Sequence, residues 1–271
     1  MDRLAIEFIC AFGMPPVEFV RLAARLGVSR IGLAPAPITD NPHGYEPWDL
    51  RGNPSLLRET KSALKDHGVK VSQGEGFLIM PGTEIADSEA ILDIMAELGA
   101  PVVNCVVVEQ NRSRALDQFA RLADMASERQ LIATLEFMPM MSPGNLGEAL
   151  AFVVESGAAN GKLMIDAMHL YRSGATSADL AAIDPAIIGY AQLCDVPMPA
   201  QIADYGEEAR HERRSPGDGD LPLEDFLRAL PRDITVGLEV PMMSKAQAGI
   251  LPEQALKPCV DAARKLLSEL D

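Results

Sequence analysis

Two carboxylates in this chain stand where a folded protein rarely leaves one alone. Glu136 closes the apolar run Leu131, Ile132, Ala133, Leu135, and Glu239 closes the run Ile234, Val236, Leu238. An acid at the C-terminal end of a buried strand is paired, liganded or catalytic, because an isolated buried charge is costly. Two further polar residues sit in comparable runs: Asp166 after Leu163, Met164 and Ile165, and Gln192 in Ala191-Gln192-Leu193, an alternation that lets its amide point inward. Glu136, Asp166, Gln192 and Glu239 together make an oxygen-only set, which suits Mg²⁺ or Mn²⁺ better than a structural zinc site rich in His and Cys. The other reading is a hydrogen-bonded polar layer. Three acids without a cation repel one another, which favours the ion.

A divalent ion gripping a carbonyl oxygen and a neighbouring hydroxyl lowers the cost of the enolate or enediolate formed when a base removes the α-proton. Return of that proton to the other face epimerises the centre, transfer to the next carbon isomerises aldose and ketose, and loss of a β-hydroxyl dehydrates the substrate. Candidate acid–base groups are Glu136, Glu239 and His169, the last three residues beyond Asp166 in IDAMH. Candidate substrate contacts are Arg210 and Arg213, in the long segment Val196–Gly219 after Gln192, where a guanidinium fork could hold a carboxylate or phosphate. The plain alternative is a solvated loop of mixed charge. Glu75 and Glu109, read as closing the third and fourth strands, and Glu7, inside the first, could meet substrate hydroxyls. Met138, Met140, Met141, Met242 and Met243 form an adaptable apolar wall, and Trp48 packs under the proline-rich loop Ala34–Gly52.

What must position these residues is an alternation of short β-rich runs with segments of helical spacing. The strands are expected at Leu4–Ile9, Val28–Leu33, Val69–Gln73, Pro101–Val108, Leu131–Phe137, Lys162–Asp166, Ile187–Cys194 and Ile234–Val240. Helix signals fall between them: Pro15-Pro16 to Leu26-Gly27, Asn53-Pro54 to His67-Gly68, Asp87 to Leu98-Gly99, Asn111 to Arg129, Gly144 to Ser156-Gly157, Ser177 to Ala182, Leu223 to Leu230, and Pro252 to the C-terminus. Eight such units predict an α/β chain closed into a (β/α)₈ TIM barrel, a single domain over 1–271, with its polar strand ends gathered on one face. No glycine-rich phosphate turn follows Ile9, which argues against a doubly wound sheet.

Composition narrows the partners. With 24 basic against 39 acidic residues, a net charge of −15 repels nucleic acid and anionic membrane. No apolar run approaches the roughly 20 residues of a membrane span, so the expected setting is cytoplasmic. Cys10, Cys105, Cys194 and Cys259 form no CxxC pair and read as reduced thiols.

The stretches LEFMP, IDAMH, QLCD, PGDGDLPL and LEV, in this order and near this spacing, resemble the xylose-isomerase-like TIM-barrel superfamily of sugar-phosphate isomerases and epimerases, over the whole chain. The resemblance implies one divalent metal held by Glu136, Asp166, Gln192 and Glu239, with Mg²⁺ or Mn²⁺ first and Co²⁺ or Zn²⁺ as other candidates, and His169 as the Asp-x-x-His histidine. Gln at the third ligand, the following Leu-Cys-Asp and the Pro-Gly-x-Gly are similar to bacterial 3-dehydroshikimate dehydratases. Ketose 3-epimerases differ, with His for Gln192, Arg for Met198 and Glu for Ser142. Endonuclease IV shares the broad group, but four histidines and the acidic charge exclude that function. The expectation is a metal-dependent isomerase or epimerase acting on a polyol or keto-acid, with a dehydrating lyase second, a non-catalytic binding barrel third, and a homodimer left open.

Overall fold

The computed structural model describes residues 3–270 and closes eight parallel strands into one ring in sequence order. They are β1 (Leu4–Ile6), β2 (Arg30–Leu33), β3 (Lys70–Ile79), β4 (Val102–Val107), β5 (Ile132–Glu136), β6 (Gly161–Asp166), β7 (Ile188–Leu193) and β8 (Val236–Leu238). Closure comes from β1 pairing β8, with Leu4, Ala5 and Ile6 opposite Val236, Gly237 and Leu238. This is the (β/α)₈ barrel that eight apolar runs separated by helical spacing require.

The outer helices are α1 (Pro16–Arg25), α2 (Pro54–His67), α3 (Glu89–Glu97), α4 (Arg112–Ser127), α5 (Leu146–Ser156), α6 (Ala167–Arg172), α7 (Ser177–Ala181), α8 (Tyr205–His211), α9 (Leu223–Ala229), α10 (Met243–Gln247) and α11 (Pro252–Ser268). Their ends follow the sequence punctuation. Asn53, Asn111 and Asn145 each accept a hydrogen bond from the third backbone N–H of the helix they open, and Gly68 and Gly157 close α2 and α5 in the left-handed conformation. Three short helices, α6, α8 and α10, were not foreseen; each lies within a connection at the C-terminal face, where its local pattern is too brief to show a period.

Strand bounds depart from expectation, β8 covering only Val236–Leu238 of the Ile234–Val240 expected. β1 stops at Ile6, and Phe8–Ala11 wind into a 3-10 turn instead of continuing the strand. β3 runs on to Ile79, so Glu75 lies inside it rather than at its end, beside a register shift between Gly74 and Phe77 and at Gly76, whose φ is +97°. The four cysteines are buried and unpaired. Trp48 packs edge-on against Phe8 and donates its indole N–H to the carbonyl of Gly13, as a packing residue should. Among the described residues no helix is long and apolar enough to cross a membrane.

Candidate active site

The parallel ring points the C-terminal ends of β5 to β8 to one mouth, and there the four predicted oxygen donors meet. Glu136 and Asp166 are the last residues of β5 and β6, Gln192 is the penultimate residue of β7, and Glu239 follows β8 directly. Register holds neighbours level, with Asp166 opposite Gln192 and Gln192 opposite Gly237. All four side chains are buried.

One cation already sits among them. Arg213 Nη1 donates to Asp166 Oδ2 at 2.6 Å and lies 2.7 Å from Glu239 Oε2. The guanidinium is held in turn by Nε donating to the carbonyl of Ala209, and its backbone N–H donates to the carbonyl of Pro241. The guanidinium thus reaches the acids from the segment after β7, in which Met198 is 45% exposed.

The charge pattern is uneven. Burial pushes the Asp166 carboxyl up, but Arg213, His169 and the His169 backbone N–H outweigh it and hold the group below the ordinary carboxylate range. Glu239 goes the other way: burial drives it well above its ordinary value, Arg213 pulls it back only in part, and Asp166 and Glu136 push it up again. The site therefore carries more carboxylate than one guanidinium neutralises. Gln192 Nε2 donates to Glu239 Oε1 at 3.1 Å, which leaves Gln192 Oε1 buried with no partner. An orphaned amide oxygen next to under-neutralised carboxylates fits a cation bound through oxygen. As the side chains stand, no three His, Cys, Asp or Glu residues among those described form a closed ligand cluster, because Arg213 shares Asp166 and Glu239.

Glu136 is the best-oriented member. Asn104 Nδ2, from β4, donates to its Oε2 at 2.6 Å, and His169 Nε2 lies 3.1 Å from its Oε1. His169 is on α6 rather than in a loop, where Asp166 caps the helix by accepting its backbone N–H at 2.8 Å. An ionised Glu136 only accepts, so Nε2 carries the proton that it donates. His169 Nδ1 meets the hydroxyl of Tyr205 on α8, which donates to it when the imidazole is neutral and accepts from it when the ring carries both protons. Asn104 and Tyr205 were missed by sequence reasoning. The first had a signal, an amide inside the apolar run VVNCVV; the second had none.

These groups floor a cavity of about 380 Å³ bordered by Glu75, Asn104, Glu136, His169, Arg213 and Glu239. Its upper wall is apolar, built from Ile38, Leu78, Met138, Met140 and Met141, with Arg210 at the rim. Arg210 uses Nε on the carbonyl of Gly206, so the rest of its fork is open to a ligand. Met242 and Met243 pack into the interior instead of facing this wall. A larger hollow, about 600 Å³, lies outside the ring between the Pro216–Leu221 turn and α11. Asp195 borders it, with its oxygens taken by the backbone N–H groups of Val196, Gly217 and Leu221, so Asp195 organises that turn and the strand ends converge on the smaller cavity. Glu109 is likewise engaged, by Arg114 and the backbone of Asn111.

The profile of the xylose isomerase-like TIM-barrel family matches residues 20–263. A Streptomyces coelicolor protein assigned provisionally as a hydroxypyruvate isomerase is 28% identical over 231 residues, covering 71% of this chain and 77% of that protein. Among solved structures, the IolI protein with a bound zinc atom superimposes with a TM-score of 0.82 at 16% identity, over 100% of this chain and 99% of its own. AsbF of Bacillus anthracis, assigned provisionally as a 3-DHS dehydratase, does so with a TM-score of 0.76 at 12% identity, over 97% and 99%. At these identities the structural likeness speaks for the fold.

Proposed function

The chain belongs to the xylose isomerase-like TIM-barrel family, and from that premise we propose that it is a divalent-metal-dependent isomerase or epimerase of a small polyhydroxy carbonyl compound. The observation that carries the reading is the excess of carboxylate around the unpartnered Gln192 Oε1, with Glu136 and Glu239 bordering a cavity of substrate size. Glu136, Asp166, Gln192 and Glu239 would hold the ion. When bound, a divalent ion supplies positive charge to the carbonyl and hydroxyl oxygens of a substrate, which makes the neighbouring C–H more acidic.

The chain's own residues divide the remaining work. Glu136 borders the cavity and takes or returns the carbon-bound proton, with Asn104 and His169 fixing the direction of its oxygens. Glu239 borders the same cavity and is the second candidate acid–base group. His169, oriented through Tyr205, holds a proton between Glu136 and the α8 segment. Arg213 keeps Asp166 ionised, and Arg210 and Glu75 meet substrate from rim and floor. The apolar upper wall excludes water from the carbanionic stage.

A second reading is favoured by that same wall. Five apolar side chains below a guanidinium suit a ring bearing a carboxylate better than an open sugar, as a dehydrating lyase acting on a cyclic keto-polyol would need. One experiment separates the two. The protein loaded with Mn²⁺ or Mg²⁺ is incubated in D₂O with hydroxypyruvate, ketoses and 3-dehydroshikimate, beside Glu136→Ala. Deuterium uptake at the carbon next to the carbonyl, lost in the variant, is the result expected. Water loss to an aromatic product establishes the lyase. No exchange and no turnover by the metal-loaded protein on any of the three classes would overturn both readings.

A further inference from the structure

Next to the Arg213 bracket, on the β1 to β3 side of the barrel, lies a second acidic pair. Glu7, immediately after β1, is wholly buried and donates its backbone N–H to the carbonyl of Leu238. Its side chain occupies space that the flanking strands leave open. A methyl group on Gly32 of β2 would fall 1.8 Å from Glu7 Oε2, and one on Gly237 of β8 would fall 1.6 Å from Glu7 Oε1. Neither glycine has a positive φ, so room for this carboxyl, rather than backbone freedom, is what glycine provides there.

The hydrogen bonds of the pair require a proton. Glu7 Oε1 accepts from the hydroxyl of Tyr190 at 2.7 Å, and that hydroxyl is 3.0 Å from Ser72 Oγ. Counted as ionised acceptors, Glu7 Oε2 and Glu75 Oε1 are both buried without a donor. Yet the two oxygens crowd the same point beside Gly32, 1.8 and 3.1 Å from where its methyl would stand, with no donor to either. Both facts hold only if one of the two carries a proton. A third observation points to the same place. Gln73 is wholly buried beside Glu75, and its amide oxygen and nitrogen have no other partner.

No cation is among the groups that weigh most on either acid. Glu7 faces Glu75 from β3, Tyr190 from β7, Glu239 beyond β8 and Glu136 from β5; burial and these carboxylates hold it protonated up to about 8, with Glu75 also well above its ordinary range. Glu7 has no route to solvent, whereas Glu75 borders the cavity. The pair thus has one buried member and one that touches whatever the cavity holds.

We infer that the Glu7–Glu75 pair is held protonated and that Glu75 passes a proton to a substrate oxygen, a catalytic role distinct from that of Glu136 on carbon. The inference rests on the isomerase reading and supplies what that reading lacks. Moving a carbonyl to the next carbon requires one oxygen to gain a proton and its neighbour to lose one. Glu75 gives its proton to the carbonyl oxygen as the C=O π pair moves onto that oxygen, and it regains one from the adjacent hydroxyl as that oxygen becomes the new carbonyl. The carbon-bound proton travels separately through the base on the β5 side, and the pair ends as it began. Glu7 is a positioning residue that keeps the proton on hand.

The test has a spectroscopic and a kinetic arm. In infrared spectra of the wild-type protein at neutral pH, a protonated-carboxyl C=O band that shifts in D₂O is expected, and it should vanish or move in both Glu7→Gln and Glu75→Gln. An identical band in both variants overturns the protonated pair. With an isomerised substrate, Glu75→Gln should lower carbon deuterium exchange and net isomerisation together, the latter by about 10²-fold or more. Glu7→Gln should lower kcat with KM unchanged. Glu75→Gln isomerising at the wild-type rate sinks this inference alone. A wild-type protein that exchanges no carbon-bound hydrogen sinks the isomerase reading and the kinetic role of Glu75 with it, and the infrared band then reports only where the proton sits.

Discussion

Replacing Gly237 by alanine tests whether the barrel was shaped around Glu7. The new methyl would stand 1.6 Å from Glu7 Oε1, 2.6 Å from its Cδ and 3.0 Å from its Cγ. The first contact is roughly 1.8 Å short of ordinary van der Waals distance, more than a rotamer adjustment absorbs in a close-packed interior. Glu7 must then leave the hydroxyl of Tyr190, or β8 must move. Losing that buried hydrogen bond costs about 1–3 kcal/mol. The overpacking adds about 1–3 kcal/mol. A total of about 2–6 kcal/mol is a large part of the ~5–15 kcal/mol that holds a typical domain folded. At ~2–4 °C per kcal/mol for a chain of this size, Tm should fall by about 5–20 °C. The decisive comparison is a double-mutant cycle by chemical denaturation. In a Glu7→Ala background the methyl enters vacated space, so the same Gly237→Ala change should cost about 2 kcal/mol less than in wild type. Equal cost in both backgrounds, or a single variant as stable as wild type, would refute the reasoning.

Three further outcomes can be checked. Because the folded-state value of Glu7 is pushed up to about 8 from 4.5, its neutral form contributes stability that is complete below about 4.5 and is lost as pH rises through about 8. Between pH about 4.5 and 8 wild type should therefore lose stability by up to ~1.4 kcal/mol per pH unit relative to Glu7→Gln, levelling off above that, and parallel denaturation curves would contradict this. Arg213→Met leaves Asp166 and Glu239 without their guanidinium, so the metal-free protein should lose about 3–5 kcal/mol. Added Mn²⁺ should restore more Tm to this variant than it adds to wild type; equal increments would argue that the ion binds elsewhere. Gln192→Leu removes the orphaned oxygen, and calorimetric titration should find Mn²⁺ bound at least ~10–100-fold more weakly, since even outer partners of a metal site matter that much. Unchanged affinity would remove Gln192 from the ligand set.

The barrel was legible because most strands are buried on both faces and read as largely apolar runs, while helices carry end signals that do not depend on tertiary context. The strand-end acids were legible for the same reason, as interruptions of that pattern. What escaped was set by contacts distant in sequence. Nothing around Tyr205 announces that α8 will fold back over His169, and the length of β3 depends on its long pairing with β4, where Phe77, Leu78 and Ile79 align with Cys105, Val106 and Val107. Glu7 could be read as pointing into the barrel, but its partner could not. The two glycines that make its space look, in RIGL and VGLE, like ordinary strand interruptions. The direction of Arg213 was open between solvent and site until the loop was seen to turn inward.

That loop has a consequence for how such a protein can diversify. Its two feet are stitched to the barrel: Asp195 and Arg214 exchange backbone hydrogen bonds, Glu212 bridges to Met242, and the Arg213 N–H is held by Pro241. Residues 197–211 form an excursion between those stitches, anchored outside them by Arg172 gripping Glu208. A replacement of the excursion that keeps the Ala209 carbonyl on Arg213 Nε would leave Arg213 on its acids while changing Tyr205 and Arg210. The charge-bearing floor and the substrate-reading rim are thus separate modules of one connection, and new specificity can be grafted onto the second without rebuilding the first.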